Sequence, residues 1–308
     1  MKPAILFACA ALMSIGFGAN ATSFSFDDVA KLVSLSDPQF SPDGKCIVVV
    51  RSTPDWKTDK TRHELDLVDV KSGTLRVLTF ERDGVSSPRW SPDGSRIAFI
   101  AKAALPKADS SKDEGSKDDD GDKPQIFVMP MNGGDAVRIT HAKQGVDEFT
   151  WSPDGTRIAY LSEDPPVNEK AIKEHNKSFQ VTDGHFLLRE ALASTHAWIV
   201  SAKGGDAKQL TKGAFSLKND QDEPSPLVFS HDGKRIVFTQ YPSPYWGPSF
   251  RSVIASVSVD GGEPQTLVDA QGATAFAYAP DSDRFAFQRS RNGDQNNGNA
   301  VYVSDNGK

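Results

Sequence analysis

The feature that most constrains how this chain folds is a short phrase that recurs five times along it. The copies are FSPDGKCIVVV from Phe40, WSPDGSRIAFI from Trp90, WSPDGTRIAYL from Trp151, FSHDGKRIVFT from Phe229 and YAPDSDRFAFQ from Tyr278. In each copy an aromatic residue precedes a turn sequence, and an apolar run typical of a β-strand follows. Because a recurring unit buries its apolar faces against its neighbours, the repeat predicts an array of similar units.

The residues of the phrase have separate roles in a tight turn. Proline presets φ for the second turn position, and aspartate suits the next one, where its carboxylate bonds the nearby backbone. Glycine then takes a left-handed conformation without steric penalty. A structural role in turns is therefore predicted for Asp43, Gly44, Asp93, Gly94, Asp154, Gly155, Asp232, Gly233 and Asp281.

Two copies depart from the pattern, because His231 replaces the proline of the fourth turn and Ser282 replaces the glycine of the fifth. A left-handed serine costs roughly 1 kcal/mol, so a different turn is predicted for the fifth copy. The basic residue that follows most of the turns is predicted to point outward, while the apolar residues after it pack inside.

A second turn signal alternates with the first. It reads DVKSGTLRVLT, PMNGGDAVRIT, SAKGGDAKQLT and SVDGGEPQTLV, with a partial fifth copy, VSDNGK. Each copy is typical of a strand, a glycine turn and another strand, so one unit holds two hairpins and four strands. Four-stranded antiparallel units repeated around an axis are the blades of a β-propeller. The predicted fold is therefore an all-β propeller with five visible units, of which the fifth is incomplete.

The length of the unit varies mainly between its second and third strands. From the glycine of the first turn to that of the second takes 29, 40, 50 and 29 residues in the four complete units. Two insertions are therefore placed at about 103–124 and 163–195, the second with a short helix in NEKAIKEHNKSF. The acidic run in the first insertion raises the alternative of a calcium site at Asp118, Asp119, Asp120 and Asp122. Its spacing does not match the ligand order of a helix-loop-helix calcium loop, so no metal is predicted.

The first 21 residues have the pattern of a secretory signal peptide. Lys2 precedes the uncharged run AILFACAALMSIGFG, and Ala19-Asn20-Ala21 forms a small-residue cleavage site. The run is short for a membrane-spanning helix, so the propeller is assigned to 22–308 with no membrane association after cleavage. A periplasmic or secreted location follows. Removal of Cys9 leaves Cys46 alone, and this thiol is interpreted as a small buried side chain in a strand, with a reactive thiol as the alternative.

The rest of the sequence gives little support to chemistry of its own. A formal net charge of −6 argues against nucleic acid as a partner. There is no Gly-x-Ser-x-Gly elbow, no His-Glu-x-x-His motif and no phosphate-binding glycine loop, so no catalytic residue and no cofactor are predicted. The histidines show no spacing of metal ligands; they are His63, His141, His175, His185, His196 and His231.

One aromatic loop, YPSPYWGPSFRS at residues 241–252, is a weak candidate for a peptide-binding surface. Its anchors would be Tyr241, Tyr245, Trp246 and Arg251, because aromatic and arginine side chains supply much of the binding energy of interfaces. The alternative is that these aromatic rings pack on neighbouring blades, as apolar side chains commonly do without a binding role.

The phrases LVSLSDPQFSPDGK, PRWSPDGSRIAF, FVMPMNGGDAVRIT and THAWIVSAKGGDAKQLT together resemble the N-terminal propeller of prolyl oligopeptidase-type (family S9) serine peptidases. The resemblance is strongest to the bacterial dipeptidyl and acylaminoacyl peptidases. It implies a propeller of seven or eight blades that caps a C-terminal α/β-hydrolase domain and admits short peptides. No residue here matches the catalytic motifs of that domain.

The last visible unit lacks its fourth strand, which predicts a truncated chain, since an unpaired strand edge invites aggregation. Alternatively, the N-terminal segment supplies the missing strand and closes a five-bladed ring. The leading hypothesis is a non-catalytic, substrate-gating propeller portion of a secreted or periplasmic serine peptidase. The alternative is a free-standing, TolB-like periplasmic binding propeller. Activity of the chain by itself is left open.

Overall fold

A computed structural model describes residues 25–29, 31–80, 82–102, 123–166, 168–176, 178–179, 191–219, 221, 223–245, 251–269, 272–279, 282–294 and 296–305. The described strands are β1 (Ser34–Phe40), β2 (Cys46–Asp55), β3 (Lys60–Asp69), β4 (Leu75–Val77), β5 (Ser86–Trp90), β6 (Arg96–Lys102), β7 (Pro124–Pro130), β8 (Val137–Arg138), β9 (Phe149–Trp151), β10 (Arg157–Glu163), β11 (Thr195–Ser201), β12 (Lys208–Gln209), β13 (Val228–Phe229), β14 (Arg235–Gln240), β15 (Val253–Ser258), β16 (Gln265–Val268), β17 (Thr274–Tyr278), β18 (Arg284–Ser290) and β19 (Asn299–Asp305). The helices are α1 (Phe26–Val29), α2 (Glu169–Lys173) and a 3-10 turn at Arg291–Gly293.

The strands form separate antiparallel sheets in chain order. Blades 1 to 4 are the four-stranded sheets β1–β4, β5–β8, β9–β12 and β13–β16, and blade 5 is the three-stranded sheet β17–β19. Each strand pairs with the next one along the chain, as in a meander. The predicted blades, including the incomplete fifth one, are thus confirmed.

Because the strands alternate in direction, each kind of connection falls at one end of the array. The SPDG-type turns and the second glycine turns join strands at what we name the turn-bearing end. The loop-bearing end carries the connections between the second and third strands of each blade, and those between blades. The connection between β10 and β11 therefore starts and ends at the loop-bearing end and contains α2, the short helix predicted in the second insertion. Residues 103–122 and 180–190 of the two predicted insertions lie outside the described residues.

The core lies between the blades rather than within them. In β6, Ile97 and Phe99 join the cluster shared with blade 1, whereas Ala98 and Ile100 join the cluster shared with blade 3. Blades 3 and 4 share a third cluster, and blades 4 and 5 share a fourth. Successive side chains of a strand point to opposite faces of the blade, and both faces are buried against neighbouring blades. Successive positions of the strand are therefore apolar, which explains the continuous apolar run in each unit.

The four described SPDG-type turns repeat one hydrogen-bond pattern. In the second turn, Ser91 Oγ donates to Asp93 Oδ1 and accepts from the amide of Arg96, and the amide of Ser95 donates to Asp93 Oδ1. The same bonds recur around Asp43, Asp154 and Asp232. The glycines Gly44, Gly94, Gly155 and Gly233 have φ values of 70°, 69°, 65° and 68°. Asp281 lies outside the described residues.

Neighbouring turns are in contact along the turn-bearing end. A Cβ on Gly94 would lie 3.4 Å from Pro42 Cδ, one on Gly155 3.5 Å from Pro92 Cδ, and one on Gly233 3.6 Å from Pro153 Cδ. The proline of each turn therefore packs on the glycine of the next. Both sequence departures fall on the next such pair, since the proline position is His231 and the glycine position Ser282. Residues 280–281 of the fifth turn lie outside the described residues, so the different turn predicted around Ser282 stays a prediction.

The basic residues after the turns do not simply point outward, as the sequence predicted. Arg96 Nη2 donates to the carbonyl oxygen of Gly155 in the next blade at 2.8 Å, and its guanidinium lies 4.9 Å from the ring centroid of Trp151. Arg157 Nη2 reaches Gly233 O in the same way at 3.3 Å. The hydrogen bond to a carbonyl oxygen of the next blade stabilises each guanidinium in this inward position, and for Arg96 the ring of Trp151 adds a cation–π contact. These contacts explain why the side chains do not point into solvent.

A matching bond runs from each tryptophan back to the preceding blade. Trp90 Nε1 donates to Gln39 O, and Trp151 Nε1 donates to Arg89 O, both at 3.1 Å. The fourth copy has Phe229 at this position, which offers no such donor. The aromatic residue of the phrase is thus a contact between blades. Within the described part of the chain, neither α-helix has the length or apolar character needed to cross a bilayer.

Candidate functional site at the loop-bearing end

The loop-bearing end holds a network of charged side chains that connects blades 3 and 4. Lys218 Nζ lies 3.0 Å from Glu163 Oε1 at the end of β10 and 3.3 Å from Asp147 Oδ1 just before β9. The side chain of Lys218 is 11% exposed, so the ammonium group is largely removed from water. A buried cation of this kind needs both carboxylates, and it ties the 210–227 connection to blade 3.

A second ion pair joins the innermost strands of blades 1 and 2. Arg89 Nη1 lies 2.7 Å from Asp37 Oδ2, and Gln39 Nε2 donates to Asp37 Oδ1. Asp37 has φ of 48°, and Ser87 in the equivalent position of β5 has φ of 51°. Left-handed residues other than glycine are uncommon, and these two mark the register shifts in β1 and β5.

Glu148 lies between these two ionic groups. Burial raises the pKa of Glu148, and the hydrogen bond from the amide of Phe149 and the charge of Arg89 act in the opposite direction. Asp37 and Asp147 add to the rise, because like charges disfavour a second ionised carboxylate. Protonation of Glu148 is therefore favoured relative to that of an exposed glutamate.

A cavity of about 610 Å³ opens beside this network. Its floor is the Tyr160–Trp198 pair, whose ring centroids lie 6.4 Å apart with planes at 17°. Its polar lining residues are His141, Lys143, Gln144, Ser162 and Glu163 from the loop-bearing end, and Asp206 from the second glycine turn of blade 3. Burial raises the pKa of Tyr160 to about 12, so the phenol stays protonated and can donate a hydrogen bond. Aromatic walls with a few polar groups are typical of sites for small molecules or peptide side chains.

His196 lies behind this cavity on β11 and is fully buried. Its Nδ1 is 3.2 Å from Thr211 Oγ1, and its Nε2 is 3.4 Å from Asp164 Oδ2. Burial lowers the pKa of His196, although Asp164 raises it in part. The edge of the Phe215 ring also contacts the imidazole, so it is a packed residue between strands.

One serine–histidine contact has the distance of a catalytic pair. Ser52 Oγ lies 2.8 Å from His63 Nδ1, across β2 and β3. In the described residues no carboxylate forms an ion pair with the other ring nitrogen, which a nucleophile–base–acid set would require. We therefore interpret Ser52 and His63 as a cross-strand pair.

The predicted aromatic anchors are distributed unevenly. Tyr241 is buried, 7% exposed, and its backbone pairs with Ser216, so this ring packs into the blade. Tyr245 is half-buried and Arg251 is exposed, at the two sides of the 246–250 segment. Trp246 lies outside the described residues. A peptide-binding role for this loop stays a prediction.

The acidic run that was considered as a calcium site cannot be compared with the structure. The candidate residues Asp118, Asp119, Asp120 and Asp122, and also His185, lie outside the described residues. Within the described ranges, no group of three histidine, cysteine, aspartate or glutamate side chains is arranged to hold a metal ion.

Sequence reasoning missed the cavity residues Tyr160 and Trp198. They are directly opposite each other in β10 and β11, as Phe99 and Phe127 are in blade 2. The signal was an aromatic residue at the same position of both central strands, which becomes visible only once the register is known.

Together, the phased four-stranded blades and their inter-blade contacts define a β-propeller. Its connections of clearly unequal length all lie at one end. Residues 41–183 match a sequence model of the family described as the dipeptidyl peptidase IV (DPP IV) N-terminal region. The uncharacterized peptidase YuxL of Bacillus subtilis is 32% identical over 224 residues, which cover 69% of this chain and 30% of that protein. The chain thus spans about a third of this relative's length. The chain is an N-terminal propeller of the prolyl oligopeptidase (S9) type.

Solved structures agree on the fold. The acylaminoacyl peptidase of Pyrococcus horikoshii superposes with a TM-score of 0.60 at 15% identity, covering 89% of this chain and 38% of that one. A protein provisionally named TolB, from Agrobacterium tumefaciens, gives a TM-score of 0.50 at 17% identity, covering 90% of this chain and 78% of that one. At these identities the likeness concerns the propeller fold alone.

Proposed function

We propose that this chain is the non-catalytic, substrate-gating propeller portion of a secreted or periplasmic serine peptidase of the dipeptidyl or acylaminoacyl type. The observation that carries the proposal is the concentration of buried charges and long connections at one end of an S9-type propeller, beside a cavity whose lining runs from that end to the second glycine turn of blade 3. The opposite end repeats one turn and varies little. A surface that selects peptides needs this kind of variable, polar and concave end.

The gating role assigns tasks to the side chains at that end. The Tyr160–Trp198 floor offers flat apolar surface to a peptide side chain, and Glu163 at the rim offers a carboxylate to a cationic group. Lys218 holds Glu163 in place from the neighbouring blade. Selection by such a site acts on substrate binding, so it changes KM more than kcat.

The first test is the coding sequence that follows the codon of Lys308. A Gly-x-Ser-x-Gly elbow in frame supports the proposal, because a hydrolase domain would supply the nucleophile. A stop codon with no such sequence beyond it in any frame would overturn it. The purified 308-residue chain is expected not to hydrolyse peptide p-nitroanilides, and hydrolysis by it would contradict a non-catalytic role.

The second test concerns gating in the complete peptidase. Trp198→Ala is expected to raise KM for a peptide of eight residues more than for a dipeptidyl p-nitroanilide, with kcat little changed. Trp56→Ala is the matched control, because Trp56 is exposed outside the cavity. Equal changes for both substrates, or equal effects of both variants, would count against gating at this site.

Secretion is tested separately. Mass spectrometry of the protein from a periplasmic or culture-supernatant fraction is expected to show a chain that starts at Thr22. An unprocessed chain confined to the cytoplasm would contradict the proposed location.

A free-standing binding propeller is the second candidate. The superposition on the provisionally named TolB, of which this chain covers 78%, favours it. It requires that the 308-residue chain by itself is a closed, soluble monomer. A single cooperative thermal transition without aggregation would support this candidate, whereas a molten, aggregating product would exclude it.

A further inference from the structure

The junction between blades 1 and 2 lacks a guanidinium group that the next junction has. Between blades 2 and 3, Arg96 donates to Gly155 O and lies over the ring of Trp151. The same position of the first unit is Cys46, which is too short to cross to blade 2. The repeat therefore continues across this junction without the side chain that connects its two blades.

The groups that would receive a guanidinium are nevertheless in place. Trp90 is the counterpart of Trp151, and its Nε1 is held by Gln39 O just as that of Trp151 is held by Arg89 O. Gly94 is the counterpart of Gly155 and has the same left-handed φ. In the described residues no side chain donates to the carbonyl oxygen of Gly94. An aromatic face and a carbonyl acceptor thus remain without the cation that their counterparts bind.

A cavity of about 370 Å³ occupies this position. Cys46, Trp90 and Gly94 line it, together with Asp43, Asp93 and Arg76. Its volume falls within the range of about 300–1,000 Å³ typical of small-molecule sites. The charged lining residues are two carboxylates and one guanidinium, and Lys45 forms an ion pair with Asp43.

Both carboxylates are ionised at neutral pH. Hydrogen bonds from Ser91 and Ser95 lower the pKa of Asp93 to about 2, and those from Ser41 and Lys45 lower the pKa of Asp43. The second oxygen of each carboxylate also has a partner, since Lys45 Nζ lies 2.9 Å from Asp43 Oδ2 and Ser95 Oγ donates to Asp93 Oδ2.

We propose that this cavity is a binding site for a guanidinium group, stacked on Trp90 and donating to Gly94 O. The donor is a small guanidine compound or the arginine side chain of a peptide; both present the same planar cation. The site lies at the turn-bearing end, opposite the proposed gating surface. It does not depend on the proposed function, and it holds whether or not the chain is part of a peptidase.

The test uses the full 308-residue chain labelled with 15N, with the Trp90 indole signal identified from the Trp90→Phe variant. Titration with N-acetyl-arginine amide is expected to shift this signal saturably, whereas the neutral N-acetyl-citrulline amide is not. Cys46→Arg should fill the cavity with an internal guanidinium and weaken the binding about tenfold or more. Cys46→Ser should bind as the unaltered chain does, because the thiol has no role in the site.

Two further variants test the site independently of Cys46→Arg. If Cys46→Arg does not fold, Cys46→Leu fills the cavity without charge and should abolish binding. Arg96→Ala empties the equivalent position between blades 2 and 3, so it should add a second saturable shift, at the Trp151 indole. No difference between arginine and citrulline, or binding that persists in both filled variants, would overturn the proposal.

A tripeptide, acetyl-Ala-Arg-Ala-amide, distinguishes the two sources. Binding at least as tight as that of N-acetyl-arginine amide supports a peptide side chain as the natural donor. Binding of the small compound alone supports a free guanidine compound. Failure of both contradicts the site.

Discussion

The two ends of this propeller differ in how closely they repeat. At the turn-bearing end, four turns make the same serine, aspartate and backbone bonds, and each contacts the next. At the loop-bearing end the connections differ in length, and two buried hydroxyls, those of Thr195 and Thr239, have no hydrogen-bond partner in the described residues. The comparison teaches that one end is built for regular assembly, while the other tolerates the polar irregularity that a binding surface needs.

The largest expected effect is on stability, and it separates the contact between neighbouring turns from the backbone conformation of a single turn. Gly155→Ala should lower the free energy of unfolding by about 3 kcal/mol, since its Cβ would lie 3.3 Å from Arg96 Nη2 and a left-handed alanine adds its own cost. Gly44→Ala has nothing within 4 Å and should lose only about 1 kcal/mol. Urea unfolding of both variants measures the difference. Equal losses would show that contact between turns stabilises nothing.

A second contrast compares buried hydroxyls at the two ends. Ser152 Oγ donates to Asp154 and accepts from the amide of Arg157, so Ser152→Ala should cost about 2 kcal/mol by leaving these groups unpaired. Thr195→Val should change stability by less than about 0.5 kcal/mol or raise it, because the lost hydroxyl makes no bond in the described residues. Thermal and urea unfolding test both. A clear loss in Thr195→Val would break the contrast.

The next effect concerns acid. Burial lowers the pKa of His196 below its usual 6.5, so the unfolded chain binds this proton at higher pH than the folded chain does. Stability from this group is complete above pH 6.5 and is lost as the pH falls below it. Melting temperatures between pH 7.5 and 5.5 should therefore fall more steeply in the unaltered chain than in His196→Asn. His231→Asn, exposed at the turn-bearing end, is the control and should keep the original slope.

The smallest effect is expected for an ion pair at the turn-bearing end. Lys45 Nζ lies 2.9 Å from Asp43 Oδ2, but the two side chains are 78% and 55% exposed. Lys45→Ala should leave the free energy of unfolding nearly unchanged, because water and salt screen such pairs. A larger loss in low-salt urea titrations would mean that the turn depends on this charge as well as on its hydrogen bonds.

Much of the fold was predictable because its determinants are local. Gly94 and Asp93 specify a turn by their own chemistry, and the alternation of Ile97 and Ala98 reports two buried faces. These features need only neighbouring residues, so a single sequence contains them.

The rest depended on partners that are distant in the chain. The predicted outward direction of the Arg96 side chain was wrong, because its hydrogen-bond acceptor, Gly155 O, lies 59 positions away in the sequence. Tyr160 and Trp198 become one surface only through the register of β10 and β11, across an insertion. Lys218 likewise finds Asp147 only after two blades have packed. Such contacts form only in the tertiary structure, so no local sequence pattern predicts them.

The proline-on-glycine contact has a consequence for how such chains change over generations. Because each turn offers a proline to the next unit and a glycine to the previous one, any unit fits beside any other, and duplication or loss of a blade creates a junction that already matches. His231 and Ser282 stand at the proline and glycine positions of the next junction, so both members of the repeated pair are replaced there.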